Sequence, residues 1–454
     1  MKLLTSCIAP LLFSLSLIVA APAGQLFTSA EPIELTLEAP LQQLFDKGID
    51  DDKFSVRGVL SYRDASTGSN VVVKDVDVSV RGHTSRRETE CSFPKLKINF
   101  DKASARAQSI FAGLDGLRIG THCGENPGEE RTPKFGRLAN ERSPVREAFV
   151  YRLLDAAGVA TLRARPARVS YVDKGAQAPP LVRNAMLLED DDDLMKRLDG
   201  TGKITMERFT SARDQFAPLD TAAMAFAQAM IANFDWCVRF YPEDTYRCDA
   251  RQPLWNVMAV TRDSGRAVPV IADFDLAGMV VGAHNWFDKV YNAGFVPSRS
   301  SVEIEVLSQV QHTRSVFSRA QLDETRHRFL QRKPALYDVL AKTRLDPRGR
   351  ELAQQHLDAF FNAITTDAAF YRPVVVKPDT RVYLDATKTR EACGEGDTVL
   401  PGTPVNEIRR DGMMVEVALL DARWHWGPPA ECKAVKAGTV WIDRSAISAE
   451  YPEK

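Results

Sequence analysis

Two aspartates, Asp273 and Asp275, follow the apolar run Val268-Pro-Val-Ile-Ala272, and Gly278 lies close behind them. The run reads as a buried strand. Carboxylates at a strand end sit on a rigid platform from which they can hold a divalent cation. Upstream, the apolar helical stretch from Ala222 to Phe234 leads to Asn233 and Asp235, and Asn256 follows. Three carboxylates and an amide therefore fall within about forty residues of chain. Asn256, Asp273 and Asp275 could bind metal, and Asp235 could accept the proton of a hydroxyl nucleophile.

A second group of residues could hold phosphates. Val80-Arg81-Gly82-His83-Thr84-Ser85 precedes Phe93-Pro94-Lys95-Leu96-Lys97-Ile98. A strand, a glycine turn and a lysine-bearing strand could cover phosphates and pair Lys95 with them, with Lys97 in reserve. The plainer reading is a β-hairpin with solvated lysines. Glu189 ends the apolar run Leu187-Leu188 and is the acid that could orient such a lysine; the plainer reading is a strand edge before a helix start. Asp190 to Asp193 lack the spacing of a calcium loop and read as a solvated face. His83, His122 and His425 are isolated, and no Gly-x-Ser-x-Gly elbow occurs. Lysine, glutamate, proton-accepting aspartate, asparagine and metal-binding aspartate follow the order of parts in protein kinases, with Asp275 where their Asp-Phe-Gly turn has glycine.

Composition narrows the function classes. Lys plus Arg number 59 and Asp plus Glu 60, for a formal net charge of −1. No basic field suits nucleic acid, and no basic amphipathic run suits a membrane surface. Lys2, the apolar Ile8–Ala21 and the small residues Ala21-Pro22-Ala23 read as a signal peptide over 1–23, with Val19-Ala20-Ala21 as another cleavage site. The apolar run is short of the ~20 residues that span a bilayer. The mature chain is expected to be exported, to the periplasm or the medium, with no membrane span. Cys91, Cys123, Cys237, Cys248, Cys393 and Cys432 would then favour disulfides. Pairing by order joins 91 with 123, 237 with 248, and 393 with 432, although six cysteines allow about 15 pairings.

The elements that must position these residues are legible as patterns. Residues 30–105 read as strands and turns; Val71 to Arg81 and Leu96 to Phe100 alternate as half-buried strands do. Pro144 to Ala157 reads as a helix stopped by Gly158, Ala167–Val172 and Asn184–Leu188 as strands, and Asp193–Leu198 as a helix. Leu219 to Phe234 is a strongly apolar helix, and 302–365 is helical throughout. Lys377-Pro378-Asp379 is a linker signal. Beyond it, 379–450 reads as short strands separated by turns.

In their shared order these motifs resemble the CotH family of spore-coat protein kinases, from about Val78 to Val281. The residues that carry the resemblance are Arg81-Gly-His-Thr-Ser85, Pro94-Lys95-Leu-Lys97-Ile, Arg142-Ser-Pro-Val-Arg146, Leu153-Leu-Asp-Ala-Ala-Gly158-Val, Leu187-Leu-Glu189, Asn233-Phe-Asp235, Asn256 and Asp273-Phe-Asp275-Leu-Ala-Gly278. Ala272 and His83 depart from the family's usual Trp and Asn. The tail resembles a bacterial Src-homology-3-like barrel through Leu400-Pro-Gly402-Thr-Pro-Val405 and Trp441-Ile442-Asp443. The resemblance implies an α+β fold: an atypical protein-kinase-like domain over 30–375 and a small all-β barrel over 379–450. It implies ATP with Mg2+ or Mn2+ as cofactors. Lys95, Lys97 and Glu189 would serve the nucleotide, Asp235 the chemistry, and Asn256, Asp273 and Asp275 the metal. The acceptor would be a hydroxyl of a protein or small molecule, and the tail would bind peptide or cell-wall material. The rival expectation is an inactive kinase fold acting as a scaffold, since ATP is scarce outside the cytoplasm. A metal-dependent hydrolase using the same acids is a third.

Overall fold

The computed structural model describes residues 25–448 apart from 102, 104–105, 242–250, 264, 285–300, 315, 372–373, 376, 378–379, 393–398, 400–404 and 420–438. The signal-peptide stretch, Cys248, Cys393, Cys432, His425 and the Pro378-Asp379 part of the linker signal lie outside the described residues.

The chain mixes helices with strands around a closed seven-stranded barrel. Its strands are β1 (Ile33–Ala39), β2 (Ser55–Arg63), β3 (Asn70–Val80), β4 (Leu96–Asn99), β5 (Gly116–Gly120), β6 (Ala164–Asp173) and β7 (Leu181–Glu189). Their order around the barrel is β1-β2-β3-β4-β5-β7-β6, and β6 closes on β1 in parallel. Alternation in the sequence fills the interior: Leu35, Leu37, Leu60, Val78, Leu96, Ile98, Leu117, Ile119, Val169 and Leu187 are all buried. In β3 the alternation slips. Asp75 takes φ 62, and the pairing with β2 shifts between Gly58 and Val59, the signature of a bulge. Closure was not evident in the sequence, because β6 and β7 come from a separate stretch.

A helical layer packs beside the barrel. The Arg142–Ala156 helix contacts both β6 and β7 and the Arg319–Lys342 helix, and so links the two halves. The stretch expected to be helical over 302–365 is three helices: Ser301–Arg314, Arg319–Lys342 and Pro347–Ile364. Ser318 and Asp346 cap the second and third, their side chains accepting from Gln321 N and Gly349 N. The Pro218–Met230 helix packs on the 301–314 and 319–342 helices. It ends four residues earlier than its apolar run, because Ile231 and Ala232 leave the helix and Ala232 takes φ 48. A small antiparallel sheet lies next in sequence, with β8 (Gly202–Ile204), β11 (Val257–Thr261) and β12 (Ala267–Ile271); β9 (Cys237–Val238) pairs with β10 (Leu254–Trp255).

The tail holds β13 (Val374–Val375), β14 (Val405–Asp411), β15 (Met414–Leu419), β16 (Val440–Asp443) and β17 (Ile447–Ser448). β14-β15-β16 form an antiparallel sheet, with Trp441 and Ile442 buried. β13 pairs with β17. Val374 and Val375, on the near side of the linker signal, thus belong with the tail strands. No helix among the described residues is long and apolar enough to cross a membrane.

Candidate functional site

The site forms where the 93–97 segment of the barrel meets the turn after β12. β12 pairs with β11 on one side, and Ile271 N bonds to Ala160 O on the other at 3.1 Å. The strand ends at Ile271, and Asp273 takes φ 65, an uncommon region for a residue with a side chain. That conformation is held: Asp273 N donates to Tyr151 Oη at 2.9 Å, and Phe274 N donates to Glu147 Oε1 at 3.2 Å. Phe274 is fully buried, its ring 4.7 Å from that of Tyr151.

Lys95 reaches this turn across the fold. Its Nζ lies 2.7 Å from Asp273 Oδ1 and 2.9 Å from Asp275 Oδ2. Asp275 also receives Arg137 Nε at 2.9 Å. Burial opposes the Lys95 charge, but Asp273 and Asp275 outweigh it and hold the ammonium above its ordinary pKa. Burial likewise opposes the Asp275 charge, and Lys95 with Arg137 outweighs it, holding the carboxyl well below the usual range. The two acids are not equivalent. The Asp275 side chain is 5% exposed and that of Asp273 37%.

Glu189, expected to orient the phosphate-binding lysine, is engaged elsewhere in this structure. Both of its oxygens engage Arg197, at 2.8 and 2.7 Å, and Arg163 N donates to it at 3.1 Å. The register explains why: Glu189 faces Leu117, which in turn faces Ile98, so Glu189 sits at the level of Ile98, beyond Lys95. Lys97, the reserve lysine, is also engaged. It pairs with Asp190 at 2.8 Å, in a cluster with Arg118. The glutamate that acts on Lys95 is Glu147, from the Arg142–Ala156 helix. Burial pushes Glu147 up to about 7, with Lys95 lowering it and the two aspartates raising it. Sequence patterning singled out none of Glu147, Tyr151 and Arg137; the first two lie on the Arg142–Ala156 helix and the third precedes it. The available signal was charge inside an apolar helix: Arg146 and Glu147 are adjacent and both buried.

Asp235 and Asn256 come together on a neighbouring wall. Asn256, at φ 54, donates its amide to Asp235 O at 2.6 Å and to Asp235 Oδ2 at 3.0 Å. Trp255 Nε1 donates to Asp235 Oδ1 at 3.0 Å. Burial raises the Asp235 pKa, the Trp255 bond lowers it, and Asp275 and Asp273 raise it again. Asn233 is fully buried and fixes the turn: its amide donates to Gln228 Oε1 at 3.0 Å, and its Oδ1 accepts from Asp235 N at 3.0 Å. Asp235 opens onto a cavity of about 790 Å³ that also takes in Arg131, Lys134, Phe135, Phe234 and His284.

A divalent cation fits part of this donor set. Among the described residues no three His, Cys, Asp or Glu side chains converge as a metal cage. Mg2+ needs none, since it is commonly held by one or two carboxylates together with substrate phosphates. Asp273 is half-exposed, and the Asn256 amide nitrogen is turned to Asp235, which leaves its carbonyl oxygen as the donor. Asp275 is buried, its Oδ2 held by Lys95 and Arg137 and its Oδ1 without a hydrogen-bond partner.

Behind the site, Cys91 and Cys123 form a disulfide, as the pairing by order expected. Cys237 is also disulfide-bonded. The first bond adjoins Glu90, whose Oε2 accepts from Thr132 Oγ1 at 2.8 Å and lies 3.8 Å from the Arg137 guanidinium.

No family model matches the chain, and no curated protein matches it. Among solved structures it is similar to the crystal structure of a Helicobacter pylori proinflammatory kinase, CtkA, at 9% identity and a TM-score of 0.31, over 62% of this chain and 96% of that one.

Proposed function

We propose that the chain is an ATP- and metal-dependent phosphotransferase with a kinase-like site, acting on a hydroxyl of a protein or small molecule. One observation carries the reading: Lys95 of the barrel meets Asp273 at 2.7 Å and Asp275 at 2.9 Å. A lysine at the start of a barrel strand, facing an aspartate that could bind metal, is part of the phosphate-holding arrangement of protein kinases. Lys95 would turn from the aspartates to the phosphates. Asp273 and the Asn256 carbonyl would hold Mg2+ or Mn2+, which would neutralise charge on the transferred group. Asp275 would anchor Lys95 and Arg137 rather than bind metal. Asp235 would accept the acceptor's hydroxyl proton, with the acceptor in the adjoining cavity. Positioning and charge neutralisation would supply most of the rate. The Cys91–Cys123 bond supports export to an oxidising compartment, periplasm or medium. The tail would be the binding module for peptide or cell-wall material.

The test is incubation of the protein with labelled ATP and Mn2+ or Mg2+, beside Asp273→Ala. The expected result is transfer by the wild type and none by the variant. Asp235→Asn should keep nucleotide affinity within about threefold and lower transfer by at least 10²-fold, in the range of a lost general base. A second reading, a non-catalytic scaffold with the same fold, is favoured by the bridging of both aspartates by Lys95. It would be preferred if the wild type bound no nucleotide with either metal.

A further inference from the structure

We infer that Arg81 is the anchor for the distal phosphates of the nucleotide, an assignment that rests on the phosphotransferase reading. The guanidiniums around it are already engaged. Arg86 donates to Val80 O at 2.8 Å, Arg118 pairs with Asp190 and Asp191 at 2.8 and 2.6 Å, and Arg137 pairs with Asp275. Arg81 is half-buried, yet its side chain makes no hydrogen bond or ion pair with the described residues. The groups that act on its charge are Asp273, Tyr151 and Glu147, all of the site, with Arg118 opposing. Burial is the largest effect on it and pushes the guanidinium below its ordinary pKa.

The backbone ties Arg81 to the lysine. Arg81 N donates to Lys95 O at 2.8 Å, one step beyond the Val80–Leu96 pair. Gly82 makes this possible. It takes φ +94, and a Cβ there would lie 2.2 Å from Ser85 Oγ. The turn therefore delivers a free guanidinium beside Lys95 and within the field of Asp273.

A half-buried cation without a counter-ion is costly unless an anion joins it. The planar fork of arginine matches two phosphate oxygens at once, whereas lysine acts as a point charge. The distal phosphates are the ones that metal and lysine gather in phosphoryl transfer, so the neighbour of Lys95 and Asp273 faces those and not the nucleoside. Arg81 is thus a binding residue that would distinguish a nucleoside triphosphate from a monophosphate.

The experiment is calorimetry of the full chain with ATP, AMP and inorganic tripolyphosphate, each with Mn2+, for the wild type, Arg81→Gln and Arg81→Lys. Wild type should prefer ATP to AMP. Arg81→Gln should weaken ATP and tripolyphosphate by about 10- to 100-fold, the range of a charge-assisted hydrogen bond, and leave AMP within about twofold. Arg81→Lys should recover part of the loss, and keeps the test valid if the glutamine variant folds poorly. An unchanged ATP-to-AMP ratio in both variants overturns the assignment while the phosphotransferase reading stands. A loss confined to tripolyphosphate also overturns it. Wild type binding none of the three overturns both.

Discussion

At the scale of residues, two aspartates a single residue apart have separate duties, and burial divides them. Asp275 lies between Lys95 and Arg137, out of solvent, so its charge holds two cations in place. Asp273 shares Lys95 but stays half-exposed. Removing one member of a buried ion pair strands the other and costs about 3–5 kcal/mol. Asp275→Asn should therefore lower unfolding free energy by about that much in guanidinium titration, whereas Asp273→Asn should change it by less than about 1 kcal/mol and abolish metal-dependent nucleotide binding. Equal destabilisation by both would remove this division. His356 sets a pH dependence at the same scale. It is fully buried, Nδ1 lies 2.7 Å from Leu352 O, and burial pushes its pKa down to about 4. Glu305 is buried beside it over Gly278, and the charges of His284 and Arg348 also reach it. The unfolded chain takes up this proton near pH 6.5. Stability from neutral His356 is therefore complete above about 6.5 and lost as pH falls toward about 4. The loss is on the order of 3 kcal/mol. Urea unfolding at pH 7 and pH 4.5 should show a smaller fall for His356→Gln than for wild type; an equal fall would assign the loss to other groups.

At the scale of elements, the site depends on two turns touching. Gly278 N donates to Ala232 O at 3.0 Å, joining the Asp273–Asp275 turn to the one that carries Asn233 and Asp235. A Cβ at Gly278 would lie 2.8 Å from Glu305 Oε2, 2.9 Å from His356 Nε2 and 3.0 Å from Ala232 Cβ. All three neighbours are buried, so Gly278→Ala should cost about 1–3 kcal/mol by overpacking and weaken transfer more than nucleotide affinity, because Asp235 moves relative to Asp273. Thermal unfolding and single-turnover rates check this; unchanged rates would mean that the turns are not mechanically joined. The sequence carried the strand before Asp273, the lysine turn and the order of the acids, because period and turn chemistry are local. It did not carry Glu147. Glu147 is one of several charges on its helix, and its meaning comes from Lys95, which lies in the segment before β4. Glu189 stands out in the sequence for its strand end, but only the β4-β5-β7 register reveals that it stops at the level of Ile98. Long-range register is not written in any one segment.

At the scale of the molecule, the barrel, helical layer and tail are joined to different degrees. The Arg142–Ala156 helix packs on two barrel strands and on the long 319–342 helix. Arg146 adds a staple, pairing with Glu129 at 2.8 Å and Asp346 at 2.7 Å from its fully buried position. Barrel and helices should therefore unfold together. Among the described residues, the tail strands bond to one another. β13 pairs with β17, Lys377 Nζ reaches Ser445 Oγ at 2.5 Å, and Tyr383 exchanges two backbone bonds with Trp441 at 2.9 and 2.8 Å. Tyr371 still belongs to the helical layer, since its hydroxyl donates to Asp323 at 2.6 Å. Among the described residues, Tyr371 thus belongs with the helices and Val374 with the tail, just ahead of the linker signal at Lys377-Pro378. Protease sites concentrate where few contacts cross. Limited proteolysis should cut near 370–380, leaving a barrel-plus-helix piece that keeps nucleotide affinity and a tail piece that keeps its own strands by circular dichroism. First cuts within 301–364 would show instead that the helices are the weaker part, and a tail piece without strand signal would show that its sheet depends on the rest of the chain.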